Sequence, residues 1–104
     1  SDIINSFKLE STLGDYKQID FPNGINYDTE REIAQQFDAL NQSPLGSTIP
    51  MYFLKKDLSE VIVLYKEADG TNVMKYAKRA NGKWLEGEKR VKGSPILDID
   101  KITD

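Results

Sequence analysis

The apolar positions of this chain follow a helical rhythm once and a strand rhythm several times. Ile33, Phe37 and Leu40 fall at i, i+4 and i+7 with Ala34 beside them, while Arg31, Gln35, Asp38 and Gln42 take the opposite side. That spacing draws one apolar stripe along an α-helix. Asp28 or Thr29 is placed to start it. Thr29 with Glu32 has the spacing of a capping box, in which hydroxyl and carboxylate each accept from an orphan N–H. Glu30 and Glu32 also stand where the helix dipole favours negative charge. Pro44 and Gly46 end the pattern, so the spacing predicts a helix over about residues 28–42.

Everything after Pro50 reads as strand. Met51 to Lys55 is a short apolar run, and Val61 to Tyr65 is apolar at every position, as in a central strand covered on both faces. Asp69-Gly70 and Asn81-Gly82 have hairpin-turn chemistry, and they bound strands over 73–79 and 83–91. Gly87 marks a bulge or bend in the last of these. Ile96 to Ile102 reads as an edge strand or a half-turn. Residues 3–9 fit either a first strand or a short helix, and Pro22-Asn23-Gly24 is a turn. The expectation is a single α+β domain over residues 1–104. One amphipathic helix packs on one side of a three- to four-stranded antiparallel β-meander at about 51–92. This order is similar to the helix-then-meander plan of cystatin-like and related small α+β folds, over roughly residues 28–92. The likeness is one of architecture and transfers no function.

Composition narrows the chemistry. The chain has 104 residues, one domain's worth. Its Ile, Leu, Val and Phe exceed the roughly 20% below which a charged chain stays disordered. Cysteine and histidine are both absent. That removes the disulfide, the thiol nucleophile, the commonest general base and the commonest metal ligand. No Gly-rich strand-to-helix loop is followed by a lysine, so no nucleotide motif is present. Asp69-Gly70-Thr71-Asn72 has the look of a calcium-loop fragment without the later ligands. Asp98 with Asp100, and Glu86 with Glu88, have the spacing of paired carboxylates on one strand face, a common pattern in a chain with 17 acids. No catalytic, metal or cofactor residue is therefore assigned, and the expectation is a chain that is not an enzyme. Eleven Lys, three Arg and ten Ile give a composition that points toward an AT-rich bacterial genome. The first residue is Ser1 rather than Met, read as favouring an exported or surface-anchored chain over a cytoplasmic one.

Charge changes the picture most. Residues 1–42 hold three basic and eight acidic side chains, a net of −5, whereas residues 73–93 hold seven basic and two acidic, a net of +5. The overall −3 hides a dipolar molecule. The candidate binding residues are Lys75, Tyr76, Lys78, Arg79, Lys83, Trp84, Lys89 and Arg90. A basic hairpin with aromatic rings suits an anionic polymer, nucleic acid or cell-wall phosphate. The plainer explanation is a solvated hairpin whose charges keep its edge from pairing with other chains. Strand alternation divides the cluster, Lys75 and Arg79 facing one way and Tyr76 and Lys78 the other. Trp84, Tyr52 and Tyr65 are expected in or beside the core. Together these features predict a non-catalytic binding module that recognises another protein through a sheet face or edge. An inhibitor or immunity-type role for the acidic half, and anionic-polymer binding by the 75–92 hairpin, are the alternatives.

Overall fold

A computed structural model describes residues 1–96. The chain begins with a five-residue helix, α1 (Asp2–Ser6), capped by Ser1, whose Oγ accepts from the Ile4 N–H. A 3-10 turn (Thr12–Asp15) leads into strand β1 (Tyr16–Ile19). Helix α2 (Arg31–Leu40) follows, and then β2 (Met51–Lys55), β3 (Glu60–Lys66), β4 (Thr71–Ala80) and β5 (Lys83–Lys92). All five strands form one antiparallel sheet in the order β1-β2-β3-β4-β5. No helix among the described residues is long and apolar enough to cross a membrane.

The α+β class and the helix-on-meander packing hold, but the sheet has five strands rather than three or four. The missed strand, β1, has polar Lys17 and Gln18 between buried Tyr16 and Ile19, so it lacks the period-2 alternation that marks a strand. It forms because Tyr16 to Ile19 pair with Lys55 to Tyr52. Residues 3–9 resolve as helix and loop. The expected element at 96–102 lies almost wholly outside the described residues.

Helix α2 is shorter than the expected 28–42, and its capping box does not form. Its N-cap is Glu30, without a side-chain cap bond. The Glu30 carboxylate instead accepts from the Asn26 N–H at 3.0 Å, while Asn26 Oδ1 accepts from the Asp28 N–H. Asp28 and Thr29 are spent in that turn. The stripe itself is as predicted: Ile33, Ala34, Phe37 and Leu40 are buried.

The sheet is covered on both faces, not one. On the first face α2 packs over β3 and β4, burying Phe37 with Tyr52, Leu54, Val61, Val63, Tyr65 and Val73. Phe21, Phe37 and Tyr52 form a ring cluster with centroids 5.3–5.6 Å apart. On the second face α1 and the 3-10 turn bring Ile3, Leu9 and Leu13 onto Phe53, Ile62, Leu64 and Met74. Strand β3 is therefore central in both senses, which is why Val61 to Tyr65 are apolar without a break.

One polar network fastens α1. The buried Lys66 ammonium donates to Asp2 Oδ2 at 2.6 Å and to the Gly70 carbonyl at 3.2 Å. Asp2 Oδ2 also accepts from Asn72 Nδ2 and from the Ser94 N–H, both at 3.1 Å. The first helix, the sheet and the segment after β5 thus meet at one carboxylate.

Candidate functional site

The β4–β5 hairpin carries half of the chain's Lys and Arg residues and is set by local chemistry. Asn81 and Gly82 have φ of 54° and 76°, the left-handed pair of a two-residue hairpin turn whose twist matches its strands. The register then runs unbroken from Ala80↔Lys83 to Thr71↔Lys92. Gly87 therefore makes no bulge. It is a glycine because Tyr76, directly opposite, lies across it, and a Cβ there would overlap the Tyr76 ring.

Directly opposed residues in an antiparallel pair share a face, so the register sorts every side chain. The α2 side receives Lys75, Ala77, Arg79, Trp84, Glu86, Glu88, Arg90 and Lys92. The α1 side receives Met74, Tyr76, Lys78, Lys83, Leu85, Gly87, Lys89 and Val91. The eight candidate residues are thereby split in half. Lys75, Arg79, Trp84 and Arg90 lie on one side of the sheet, Tyr76, Lys78, Lys83 and Lys89 on the other. They do not form one basic face.

The two halves differ in what their cations already touch. On the α2 side Arg90 pairs with Glu67 and lies 3.7 Å from Glu88, and these carboxylates hold its guanidinium more firmly protonated than usual. Arg79 lies 3.8 Å from Glu32, and the Lys75 ammonium sits 5.6 Å above the Tyr65 ring. Trp84 is half-buried against the α2-side core, as the sequence predicts, and its buried indole N–H has no partner among the described residues. Glu86 and Glu88 share this face and line a shallow hollow with Ala39, Leu40 and Lys75.

On the α1 side Lys78 is 3.9 Å from Glu60 and 5.6 Å from the Tyr76 ring centre. Burial and the same Glu60 carboxylate push the Tyr16 phenol up. Among the described residues, Lys83 and Lys89 have no carboxylate within ion-pair distance. Between and beyond them stand Leu85, 60% exposed, and Val91, 40% exposed. Helix α1 packs chiefly over β3 and β4, so among the described residues no helix covers this row. Sequence reasoning missed Leu85 and Val91 as site residues. The signal was present: the odd positions of β5 read Lys, Leu, Gly, Lys, Val with no acid, and the even positions hold both glutamates.

Among the described residues no group of three or more His, Cys, Asp or Glu side chains is placed to hold a metal ion. Comparison with protein-family models, with curated proteins and with solved structures gives no match.

Proposed function

We propose that this chain is a non-catalytic recognition domain that docks an acidic protein surface on the α1-side face of the β4–β5 hairpin. The observation that carries the reading is the row Lys83-Leu85-Lys89-Val91, in which ammonium groups with no ion-pair partner among the described residues alternate with exposed aliphatic side chains. Exposed apolar groups inside a polar rim are what a protein partner covers, while the lysines steer its approach. An anionic polymer is less well served. Its stacking platform would be Tyr76, which is laid on Gly87, and both hairpin arginines face the other way in ion pairs. The acidic helix is also a weaker docking surface, since Glu30 is held by Asn26 and Glu32 stands near Arg79.

The test uses three probes at low salt: a 12-residue peptide alternating Glu with Leu or Val, the same peptide with Lys for Glu, and a 20-nucleotide poly(dT). The acidic peptide is expected to shift amide resonances on β4 and β5. The Lys83→Glu/Lys89→Glu variant should weaken it at least tenfold, with a smaller salt dependence. Tighter binding of poly(dT) than of the acidic peptide would replace this reading by the polymer one. Shifts confined to α2 would place recognition on the acidic half instead.

A further inference from the structure

The same hairpin presents a second surface, distinct from its face: the outer edge of β5. This strand is ten residues long, exposed along nearly its whole length, and last in the sheet. Its ladder with β4 is phased by the Gly93 N–H, which donates to the Gly70 carbonyl at 3.0 Å. Antiparallel pairs alternate between bonded and non-bonded. Counting from Gly70↔Gly93, the inward groups belong to Val91, Lys89, Gly87, Leu85 and Lys83. The backbone N–H and C=O groups of Trp84, Glu86, Glu88, Arg90 and Lys92 therefore point away from β4. No described strand pairs with them.

We infer that a second copy of this chain occupies that edge, β5 against β5 antiparallel about a two-fold axis, with Glu88 opposite Glu88 of the other copy. The side chains of β5 are complementary to themselves in this register. On the α2 side Glu86 meets Arg90 of the copy, and Trp84 meets Lys92, each twice by symmetry. On the α1 side Leu85 meets Val91, also twice, so the two exposed aliphatic residues of the strand pack side by side and keep their outer surfaces open. The single like-charge contact, Glu88 on its own image, is flanked by the Arg90 that already lies 3.7 Å from each Glu88. A shift of two residues one way sets Glu86 against Glu88 twice and Leu85 against Lys89. The opposite shift sets Glu88 against Arg90 and Glu86 against Lys92, each twice, but puts Lys89 on its own image and leaves Leu85 and Val91 facing glycines. Both shifts lose the aliphatic match. The pairing extends the recognition reading, because it would merge the two α1-side faces into one across a ten-stranded sheet and present the Lys83-Leu85-Lys89-Val91 row twice.

The chain contains no cysteine, so Glu88→Cys introduces the only thiol. Opposed Cα atoms in a bonded antiparallel pair are about 5.5 Å apart, within disulfide reach. Under mild oxidation with copper phenanthroline, Glu88→Cys is expected to form a covalent dimer at least tenfold faster than Gln35→Cys, whose site is exposed on α2. Glu86→Cys should gain no such advantage. By sedimentation equilibrium Glu88→Gln should dimerise at about tenfold lower concentration than the parent. Glu88→Pro removes an outward N–H that β4 does not use, a position where edge strands tolerate proline, and should be monomeric. Equal cross-linking at residues 88 and 35, fastest cross-linking at residue 86, or a monomer at 1 mM for both parent and Glu88→Gln would overturn the inference. Continued binding of the acidic peptide to monomeric Glu88→Pro would show that the recognition face stands even where the edge pairing fails.

Discussion

Gly93→Ala is expected to destabilise the protein by about 3 kcal/mol, as much as many core truncations, although it only adds a methyl group near the surface. A Cβ at this position would come within 2.6 Å of Asp2 Oδ2 and 2.7 Å of Lys66 Nζ, and closer still to Asn72 Nδ2. Those three atoms are the polar network that fastens α1 to the sheet. Making room for the methyl separates Asp2 from a lysine that is only 5% exposed, and an ammonium buried without its carboxylate is the costly half of a broken pair. Gly14→Ala is the matched control. A Cβ there meets nothing within 4 Å, and the change should stay within about 0.5 kcal/mol. Urea unfolding of the two variants beside the parent measures the difference. Equal midpoints for Gly93→Ala and the parent would show that the network bears no load.

The same carboxylate gives the network a pH signature. The Lys66 ammonium, then Asn72 and the Ser94 N–H, hold the Asp2 carboxyl down at about 2, against 3.8 for the free group. A carboxyl depressed by folding contributes stability that is fully present above its unfolded value and is lost as pH falls through its folded value. The stability gap between the parent and Asp2→Asn should therefore be constant above pH 5 and shrink between about pH 4 and pH 2. A gap that stays constant down to pH 2 would remove Asp2 from the account.

Phe37→Ala should cost more, about 3–5 kcal/mol. Phe37 is fully buried, and its ring meets Phe21 at 5.3 Å and Tyr52 edge-on at 5.6 Å. It is the centre of the stripe by which α2 holds the sheet, so its loss leaves a cavity that a ten-residue helix cannot close by shifting. Trp84, the only tryptophan, is half-buried against the same core and reports the loosening directly. Its emission should move to longer wavelength in Phe37→Ala before global unfolding. A parent-like spectrum and a loss below 1 kcal/mol would mean that α2 is held chiefly by its ends.

What could be read in the sequence depended on whether neighbouring residues settle the matter among themselves. The α2 stripe is one such case, since four buried side chains at helical spacing need only a single apolar surface to meet. The type of the 81–82 turn is another, since Asn81 and Gly82 accept positive φ wherever they stand. Strand β1 was not legible, because two of its four residues are polar and its partners, Lys55 to Tyr52, stand far along the chain beyond α2. The capping box of Thr29 and Glu32 failed for a related reason: the Asn26 carbonyl accepts from the Thr29 and Glu30 N–H groups, which draws Thr29 into the preceding turn and leaves Glu30 as the N-cap. At the candidate site the charges were legible and their division between faces was legible as far as alternation goes. The role of Gly87 was not, because it depends on Tyr76 standing across the hairpin. Nor was the quenching of Arg90 by Glu67, which requires knowing how β4 returns beside β3.

Asp2 and Ser94 touch at 3.1 Å, although 92 positions separate them along the chain. A tension applied between residues 1 and 96 therefore falls first on that contact and on Lys66 behind it. The strand ladders, which lie inside the closed loop so formed, are spared until it opens. Positions 2 and 94 are thereby held together at one carboxylate.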